Sequence, residues 1–332
     1  MSDRVLVTGA SGFVGQALLA RLRRQDLPVR AALRRPWEPP PGVETCRVGE
    51  LGADTDWRAA LTDVDVVVHA AARVHVMRDA AADPLAEYRR VNVQGTLALA
   101  RQAAEAGVRR FVFISSIKVN GEVTAPGRPF TAQDAPAPRD PYGLSKAEAE
   151  NGLRRLAVET GLEVTIIRPP LVYGPGVKGN FLSLMRWLSR GLPLPLGAIH
   201  NRRSLVALDN LVDLIAVCCR HPAAASRTFL VADGEDLSTT ELLRRLGQAL
   251  GKPARLLPVP SWLLKAAAAA VGRPGIGQRL CGSLQVDIAA TQAALAWSPP
   301  VGVDEALART AHHFLRSEEG RAAAETAESL PR

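Results

Sequence analysis

Short apolar runs alternate with helical patterns along the first two-thirds of this 332-residue chain. The runs are rich in β-branched residues and stay apolar at successive positions, which is typical of strands buried on both faces. They are Val5 to Val7, Val29 to Leu33, Val64 to Ala70, Arg110 to Ser115 and Val164 to Ile167. The helical patterns begin near Phe13, Pro84, Asp140 and Phe181. This order predicts a doubly wound α/β fold with a parallel sheet between two layers of helices.

The pattern loosens after Tyr173, where proline-rich links and shorter strand signals follow. The two strand signals are Ser204 to Leu208 and Phe229 to Val231. We therefore predict a main domain over residues 1–175 and a smaller C-terminal α/β lobe for the substrate, mainly over residues 176–317. A strand or helix of that lobe should return to the main sheet. Residues 318–332, which are rich in Ala and Glu, are predicted to be a flexible tail.

Composition argues against several classes of protein. The net charge is +8, but arginines are scattered, aromatic residues are only 5%, and no long basic block occurs. A nucleic-acid partner is therefore disfavoured. The four cysteines, including adjacent Cys218 and Cys219, have neither metal-ligand spacing nor an evident disulfide framework. We expect no metal site and a reducing compartment.

Membrane insertion is also disfavoured by the sequence. The first residues lead directly into a strand and show no secretion-signal pattern, so we expect a cytoplasmic protein. The stretch from Trp262 to Val271 is apolar, but Lys265 interrupts it and it is too short to span a bilayer. We expect no integral membrane segment and interpret this stretch as a buried helix. A contact with a membrane surface is the alternative.

Three glycines follow the first strand and open the first helix. Gly9, Gly12 and Gly15 have the spacing Gly-x-x-Gly-x-x-Gly. In this context glycines let the backbone approach a pyrophosphate at a helix N-terminus. The motif predicts a Rossmann-type dinucleotide site. Its cofactor-binding residues are Gly9, Ser11, Gly12, Phe13, Val14 and Gly15.

The end of the second strand bears on the choice of cofactor. An acidic residue at this place binds a ribose 2′-hydroxyl, whereas arginine accommodates a 2′-phosphate. The chain has Arg34 and Arg35 here, and no carboxylate before Glu38. We therefore expect NADP(H) to be favoured over NAD(H).

A tyrosine and a lysine stand four residues apart at the start of a predicted helix. Asp140 and the proline after it form an N-cap pattern, so Tyr142 and Lys146 should share one helix face. A nearby ammonium and the positive nicotinamide ring favour the phenolate of a tyrosine, which could then exchange a proton with a sugar hydroxyl or ketone. Ser116, at the end of a predicted strand, could hydrogen-bond the same substrate oxygen. We predict Tyr142, Lys146 and Ser116 to be catalytic.

These residues, together with the His-Ala-Ala-Ala run at 69–72 and the segment from Asn92 to Thr96, resemble the extended short-chain dehydrogenase/reductase family. Within that family the chain is most similar to the UDP-glucose 4-epimerase group. The resemblance runs from Arg4 to about Phe314. It implies an NAD(P)-dependent enzyme that acts at C4 of a UDP-hexose or UDP-N-acetylhexosamine in surface polysaccharide synthesis.

The resemblance also assigns residues to the ligands. The further cofactor positions are Glu50, Leu51, His69, Ala70, Ala71, Ala72, Asn92, Ser115, Pro169 and Val172. The substrate positions are Ser116, Ile117, Lys118, Tyr173, Asn180, Arg203 and Arg279. Among these, Asn180 and Arg203 match residues that hold the nucleotide diphosphate, and Arg279 is a further candidate.

Departures from the family pattern reduce the number of reactions that the resemblance allows. Dehydratases of the family have two acids after the active-site hydroxyl, but this chain has Ile117 and Lys118 there, which disfavours a 4,6-dehydratase. A 4-epimerase and an NADPH-dependent 4-ketoreductase of UDP-4-keto-6-deoxy-N-acetylhexosamine both remain open. A small-ketone or steroid-type reductase and a non-catalytic NADP-sensing regulator are further alternatives. The resemblance implies a homodimer formed through helices that include the one bearing Tyr142.

Overall fold

The computed structural model describes residues 3–74, 83–270, 272 and 274–328. Within them, the strands are β1 (Val5–Thr8), β2 (Val29–Leu33), β3 (Glu44–Arg47), β4 (Val66–His69), β5 (Arg110–Ile114), β6 (Glu163–Arg168), β7 (Leu171–Tyr173), β8 (Arg203–Ala207), β9 (Thr228–Leu230) and β10 (Asp236–Leu237). Seven of these strands form one parallel sheet in the order β3-β2-β1-β4-β5-β6-β9. The predicted doubly wound α/β fold of Rossmann type is confirmed.

Helices cover both faces of this sheet. The α-helices of the described residues, on this sheet and in the C-terminal lobe, are α1 (Phe13–Arg23), α2 (Arg58–Leu61), α3 (Pro84–Tyr88), α4 (Thr96–Glu105), α5 (Pro141–Thr160), α6 (Gly179–Ser189), α7 (Leu208–Arg220), α8 (Thr239–Ala249), α9 (Ser261–Ala270), α10 (Pro274–Cys281), α11 (Ala289–Leu295) and α12 (Val303–Glu328). A π-helical segment, Arg89–Gly95, joins α3 to α4. One apolar cluster packs α1 and α7 on one face, and another packs α4 and α5 on the other.

The strand prediction differs from the structure at β3 and β4. β3 was not among the predicted runs because it is an edge strand whose residues, Glu44 to Arg47, are mostly exposed and polar. Such a strand lacks the apolar run that marks a strand buried on both faces. The run predicted from Val64 to Ala70 shortens to Val66–His69, since the sheet hydrogen bonding covers only those four residues.

The C-terminal part of the chain contributes to both a second sheet and the main one. β8 lies between β7, with which it is parallel, and β10, with which it is antiparallel. β9 instead extends the main sheet next to β6. Helix α12 continues from Val303 through Glu328, and residues 329–332 lie outside the described residues.

Helix α9 forms where the apolar stretch predicted it, but its expected burial is wrong. Within the described residues no side chain of α9 is buried, and Trp262 is 68% exposed. Val271, the last residue of the predicted stretch, lies outside the described residues. In the described part of the chain, no helix has the length and apolar character needed to cross a membrane.

A buried ion pair ties α5 to the sheet. Glu150 of α5 is fully buried, and its carboxylate accepts hydrogen bonds from Arg168 Nη2 at 2.5 Å and Nε at 2.9 Å. The Ser115 hydroxyl donates to the same carboxylate at 2.6 Å, and Arg154 donates at 2.9 Å. Arg168 also donates to the Asn120 side chain at 2.9 Å. These contacts join α5 to the carboxyl ends of β5 and β6.

We predict that Glu150→Gln lowers the free energy of unfolding by about 3–5 kcal/mol, because it leaves the buried Arg168 charge without its counter-ion. Asp56→Asn is the matched control, since it removes the carboxylate of the Asp56–Arg58 pair, whose side chains are 58% and 84% exposed. Urea unfolding should show a much smaller change for that control. Equal losses in the two variants would contradict the role given to Glu150.

Candidate active site

The turn between β1 and α1 places the backbone of three glycines in close contact. Gly9 has a φ of +67°, and a Cβ added to it would lie 2.7 Å from the Ala71 amide nitrogen. A Cβ on Gly15 would lie 2.1 Å from the Gly9 carbonyl oxygen, and Gly12 N donates to that same oxygen at 2.9 Å. Side chains at Gly9 and Gly15 would therefore force the turn apart.

This turn fits the pyrophosphate of a dinucleotide. Phe13 and Val14 begin α1, Ser11 is exposed beside them, and α1 has no acidic residue in its first turn. The free N–H groups and the dipole at such a helix N-terminus favour an anion. The predicted phosphate-binding residues thus lie together at the carboxyl end of β1.

Arg34 and Arg35, by contrast, lie exposed in the loop after β2. Arg34 Nη1 is 3.9 Å from Glu50 Oε1, and these side chains are 59% and 68% exposed. Leu51, next to Glu50, packs against the π-helical segment, since a Cβ on Gly95 would lie 3.3 Å from Leu51 Cγ. The structure therefore places a carboxylate next to the arginine from which NADP was predicted.

The predicted acid/base pair lies in the first two turns of α5. Asp140 caps this helix by accepting from the Gly143 amide at 2.7 Å, as the sequence predicted. Lys146 is buried, and its Nζ donates to the Ile114 carbonyl at 2.8 Å and lies 4.4 Å from the centre of the Phe113 ring. The Tyr142 ring makes an edge contact with Tyr88, with ring centroids 6.1 Å apart.

Burial governs the ionisation of this pair. It raises the pKa of Tyr142 above that of an ordinary tyrosine, and Asp140 and Tyr88 raise it further. It lowers the pKa of Lys146 to about 7, although Glu150 acts in the opposite direction. A phenolate here requires additional positive charge next to the ring.

The Ser116 turn packs against the start of α5. Ser116 caps a short 3₁₀ turn, Ile117–Val119, by accepting from the Lys118 amide at 3.3 Å. A Cβ on Gly143 would lie 3.0 Å from the Lys118 carbonyl oxygen, so only glycine permits this approach. The Lys118 ammonium pairs with Asp140, and Ile117 is buried. Ser116 therefore lies beside the turn of α5 that carries Tyr142.

Adjacent strand ends bring further predicted residues to the same edge. Ile117 N donates to the Pro169 carbonyl at 3.0 Å, which joins the turn after β5 to the residue after β6. The partly buried residues Ala70, Ala71 and Ala72 follow β4, next to the glycine turn. Parallel strands place these segments at one sheet edge, beside the point where the strand order reverses.

A buried series of hydrogen bonds connects β1 to α5, the helix of the predicted tyrosine–lysine pair. The Thr8 hydroxyl is 2.8 Å from His69 Nδ1, and His69 Nε2 is 3.0 Å from the Thr96 hydroxyl. Thr96 donates to the Asn92 carbonyl at 2.7 Å, and the Asn92 amide donates to the Ser145 hydroxyl at 3.0 Å. Ser145 in turn donates to the Tyr142 carbonyl at 2.8 Å.

The hydrogen bonds of this series give His69 and Asn92 a structural function. The cofactor contact predicted for both residues would come in addition to it. Both side chains are buried, and their polar groups bond to the protein. Burial, with a smaller contribution from the Lys146 charge, lowers the pKa of His69 to about 3. His69 is therefore neutral near pH 7 and connects β4 to the segment that holds Asn92.

Two predicted diphosphate residues meet in the C-terminal lobe. Arg203 of β8 donates through Nη1 to the carbonyls of Arg279 and Gly282, at 3.1 Å each. Burial lowers the pKa of the Arg203 guanidinium. Arg279 is exposed on α10, and Asn180 is exposed in the first turn of α6. The structure thus joins Arg203 to the Arg279 segment and places Asn180 on a separate helix.

The two residues predicted from β7 differ in exposure. Val172 is partly buried, whereas Tyr173 is fully buried and donates its hydroxyl to Asp233 at 2.9 Å. Asp233 also accepts from the Ala207 amide and the Asn210 side chain, at 2.7 Å each. The Tyr173 hydroxyl therefore stabilises the junction of β7 and β8, and its ring stacks on Phe181 in the core of the C-terminal lobe.

Sequence reasoning did not identify several polar residues behind the site. These are Thr8, Thr96, Ser145, Glu150 and Arg168. The sequence does contain an indication of the buried Glu150–Arg168 pair. Glu150 lies four residues after Lys146 on the same helix face, and Arg168 ends an apolar strand. A charge in either place needs a buried partner.

Known proteins with similar sequences and structures agree with this geometry. A UDP-glucose 4-epimerase of Vibrio cholerae is 50% identical over 319 residues, which are 96% of this chain and 97% of that protein. The solved structure of MoeE5 in complex with UDP-glucuronic acid and NAD has a TM-score of 0.75 and 27% identity, over 95% of this chain and all of that chain. A Thermus thermophilus UDP-glucose 4-epimerase in complex with NAD has a TM-score of 0.75 and 25% identity, over 94% of this chain and 99% of its own.

The predicted preference for NADP(H) over NAD(H) is wrong. Both of these similar structures hold NAD, and the relative at 50% identity is a UDP-glucose 4-epimerase. The structure supplies a physical reason. The prediction considered Arg34 alone, whereas the structure places the exposed Glu50 carboxylate 3.9 Å from it, so a negative charge lies beside the cation on which the prediction rested.

The family model supports the resemblance inferred from the motifs. It describes the NAD dependent epimerase/dehydratase family and matches residues 5–232, which include the glycine turn, the tyrosine–lysine pair and Arg203. The glycine turn, the α5 pair and these similar proteins all agree. The chain therefore belongs to the NAD-dependent epimerase/dehydratase family.

Proposed function

We propose that this protein is an NAD-dependent 4-epimerase of a UDP-hexose or UDP-N-acetylhexosamine. The observation that carries the proposal is the arrangement at one sheet edge. There Tyr142 and Lys146 lie on a helix turn packed against the Ser116 turn, next to a glycine turn that fits a dinucleotide. Similarity over almost the full length to a UDP-glucose 4-epimerase supports the choice of substrate.

The residues of the chain divide into those that hold NAD and those that act on the sugar. The glycine turn with Ser11 would hold the pyrophosphate, and Lys146 would hold the nicotinamide ribose. NAD, when bound, supplies a reversible acceptor for the hydrogen at C4. The protein must then move the proton of the C4 oxygen and control access to both faces of the sugar.

Tyr142 is the proposed proton acceptor and donor at the C4 oxygen. Burial raises its pKa, so the phenolate depends on positive charge supplied next to it. Lys146 supplies part of that charge when protonated, and its lowered pKa of about 7 lets it change protonation near neutral pH. Ser116 would donate a hydrogen bond to the same C4 oxygen and so orient it toward Tyr142.

The diphosphate of the substrate would be held by the C-terminal lobe. The Arg203 guanidinium lies against the Arg279 backbone, and guanidinium groups bind phosphate oxygens through paired hydrogen bonds. Asn180 would add a neutral donor from α6. Fixing the diphosphate while leaving the sugar free to turn allows either face of C4 to meet the same cofactor.

Three observations separate this proposal from the alternatives. Ile117 and Lys118 occupy the positions of the dehydratase acids, and Lys118 is paired with Asp140. The arginines after β2 were one argument for the NADPH-dependent 4-ketoreductase, and that argument is lost with the correction to NAD. A complete tyrosine–lysine pair also argues against a non-catalytic sensor. A homodimer and a cytoplasmic location remain predictions.

We predict that Tyr142→Phe lowers epimerase turnover by about 10²–10⁴-fold, because it removes the group that moves the proton. Tyr88→Phe is the matched control: its ring contacts Tyr142, while its own hydroxyl is 3.5 Å from the nearest carbonyl. UDP-glucose is the first substrate to assay. Denaturation of either variant should still release NAD, as identified by mass spectrometry. Full turnover by Tyr142→Phe would contradict the mechanism.

We predict that Arg203→Ala weakens UDP binding by about 2 kcal/mol through loss of a charge-assisted contact. The adjacent exposed arginine, Arg202, provides the matched control Arg202→Ala. Isothermal titration calorimetry with UDP should show a clear loss of affinity only for Arg203→Ala. Because Arg203 also bonds to two carbonyls, a melting curve must confirm that the variant is folded. Unchanged affinity would exclude Arg203 from the diphosphate site.

A further inference from the structure

Helix α9 presents an apolar face to solvent. Trp262 is 68% exposed and Leu263 is 45% exposed, and Leu257, five residues before Trp262, is 52% exposed. We call these three residues the α9 surface. Scattered apolar residues are normal on a protein surface. Here, however, exposed alanines continue the apolar face along the helix, at positions 266, 267, 269 and 270.

The α9 surface is held in place by the fold. Leu257 N donates to the Leu194 carbonyl at 2.8 Å, and Leu263 N donates to the Pro260 carbonyl at 3.1 Å. The inner side of α9 packs on α10, where a Cβ on Gly277 would lie 3.2 Å from Lys265 Cα. The apolar face is therefore the outer side of a helix whose inner side is already packed.

The charged side chains of the segment that carries this surface have one sign. The chain contains 33 acidic residues, but none lies between Leu242 and Val286. That segment includes three exposed cations around the α9 surface: Lys252, Arg255 and Lys265. Lys252 Nζ donates to the Ser189 carbonyl at 2.7 Å, so its contact is with a neutral group. An apolar face bordered by cations is complementary to an anionic surface that has an apolar interior.

We propose that the α9 surface docks onto an anionic lipid bilayer. Trp262 would lie at the headgroup level, where tryptophan is enriched, with Leu257 and Leu263 beside it in the outer acyl region. Lys252, Arg255 and Lys265 would contact anionic headgroups. With ten residues, α9 is about 15 Å long, so it lies on the bilayer and does not cross it.

Docking in this way would orient the C-terminal lobe. Helix α10, which packs behind α9, carries Arg279, so this part of the lobe would lie next to the membrane. If the proposed function holds, a sugar nucleotide released from this lobe would leave the protein close to the bilayer. The docking itself does not depend on the proposed epimerase activity, because none of its residues belongs to the catalytic site.

Co-sedimentation of the full chain with vesicles tests the proposal. We expect binding to vesicles of phosphatidylcholine with phosphatidylglycerol, and weak binding to phosphatidylcholine alone. Raising the salt to about 0.5 M should reduce binding, since exposed charges are then strongly screened. Lipids brominated at shallow acyl positions should quench tryptophan fluorescence, and the Trp262→Phe variant should lose most of that quenching.

Paired variants separate the apolar and electrostatic contributions. Trp262→Ser with Leu263→Ser should lower the partition coefficient at least about tenfold, and Arg255→Glu with Lys265→Glu should do the same on anionic vesicles. The matched controls are Val158→Ser, which changes a side chain 89% exposed on α5, and Arg24→Glu, which changes an exposed cation after α1. Both controls should bind like the unaltered protein. All variants should keep the melting temperature and turnover in solution.

Three results would overturn the proposal. One is a lack of binding to anionic vesicles by the unaltered protein at low salt. Another is equal loss of binding in the α9 variants and their controls. The third is a protein oligomer, measured by light scattering, that dissociates in Trp262→Ser with Leu263→Ser, because it would assign the α9 surface to a second copy of the chain.

Discussion

The buried carboxylate of Glu150 is the interaction on which the proposed active site depends. It lies on the same face of α5 as Lys146 and bonds to residues at the ends of two neighbouring strands, Ser115 and Arg168. Because a buried charge is tolerated only with a well-placed partner, α5 has little freedom to slide along the sheet. The positions of Tyr142 and Lys146 relative to the strand ends are thereby fixed.

A neutral hydrogen-bond chain fixes the same helix from the other side. It passes from Thr8 through His69, Thr96 and Asn92 to Ser145, which bonds to the Tyr142 carbonyl. The glycine turn follows Thr8 directly, so the predicted cofactor site and the predicted proton donor share one rigid support. Such a support reduces the reorganisation needed when substrate and cofactor meet.

The sequence predicts those parts of the site whose defining residues lie close together along the chain. The glycine turn, the Asp140 cap and the spacing of Tyr142 and Lys146 all follow from residues within one turn of each other. The sheet followed from its buried apolar strands, whereas exposed β3 lacked that signal. The buried network could not be predicted in this way, because its members come from distant segments and pair only in the fold.

The same difference between local and distant information explains the two clearest errors. Arg34 predicted NADP when considered alone, but Glu50 reaches it from the loop after another strand. The composition of α9 predicted burial, but burial requires a partner on both sides. Among the described residues, α10 packs against its inner side, while Trp262 points to solvent.

The central claim is that the hydrogen removed from C4 returns to the opposite face of the same carbon without exchange with water, which requires residues that hold NAD in place throughout. Incubation with UDP-glucose deuterated at C4 in ordinary water tests this most directly. The account predicts a C4 epimer, UDP-galactose, that retains the deuterium at C4 as measured by NMR. A product with hydrogen from water at C4, or enzyme that holds NAD and converts neither UDP-hexoses nor UDP-N-acetylhexosamines, would contradict it.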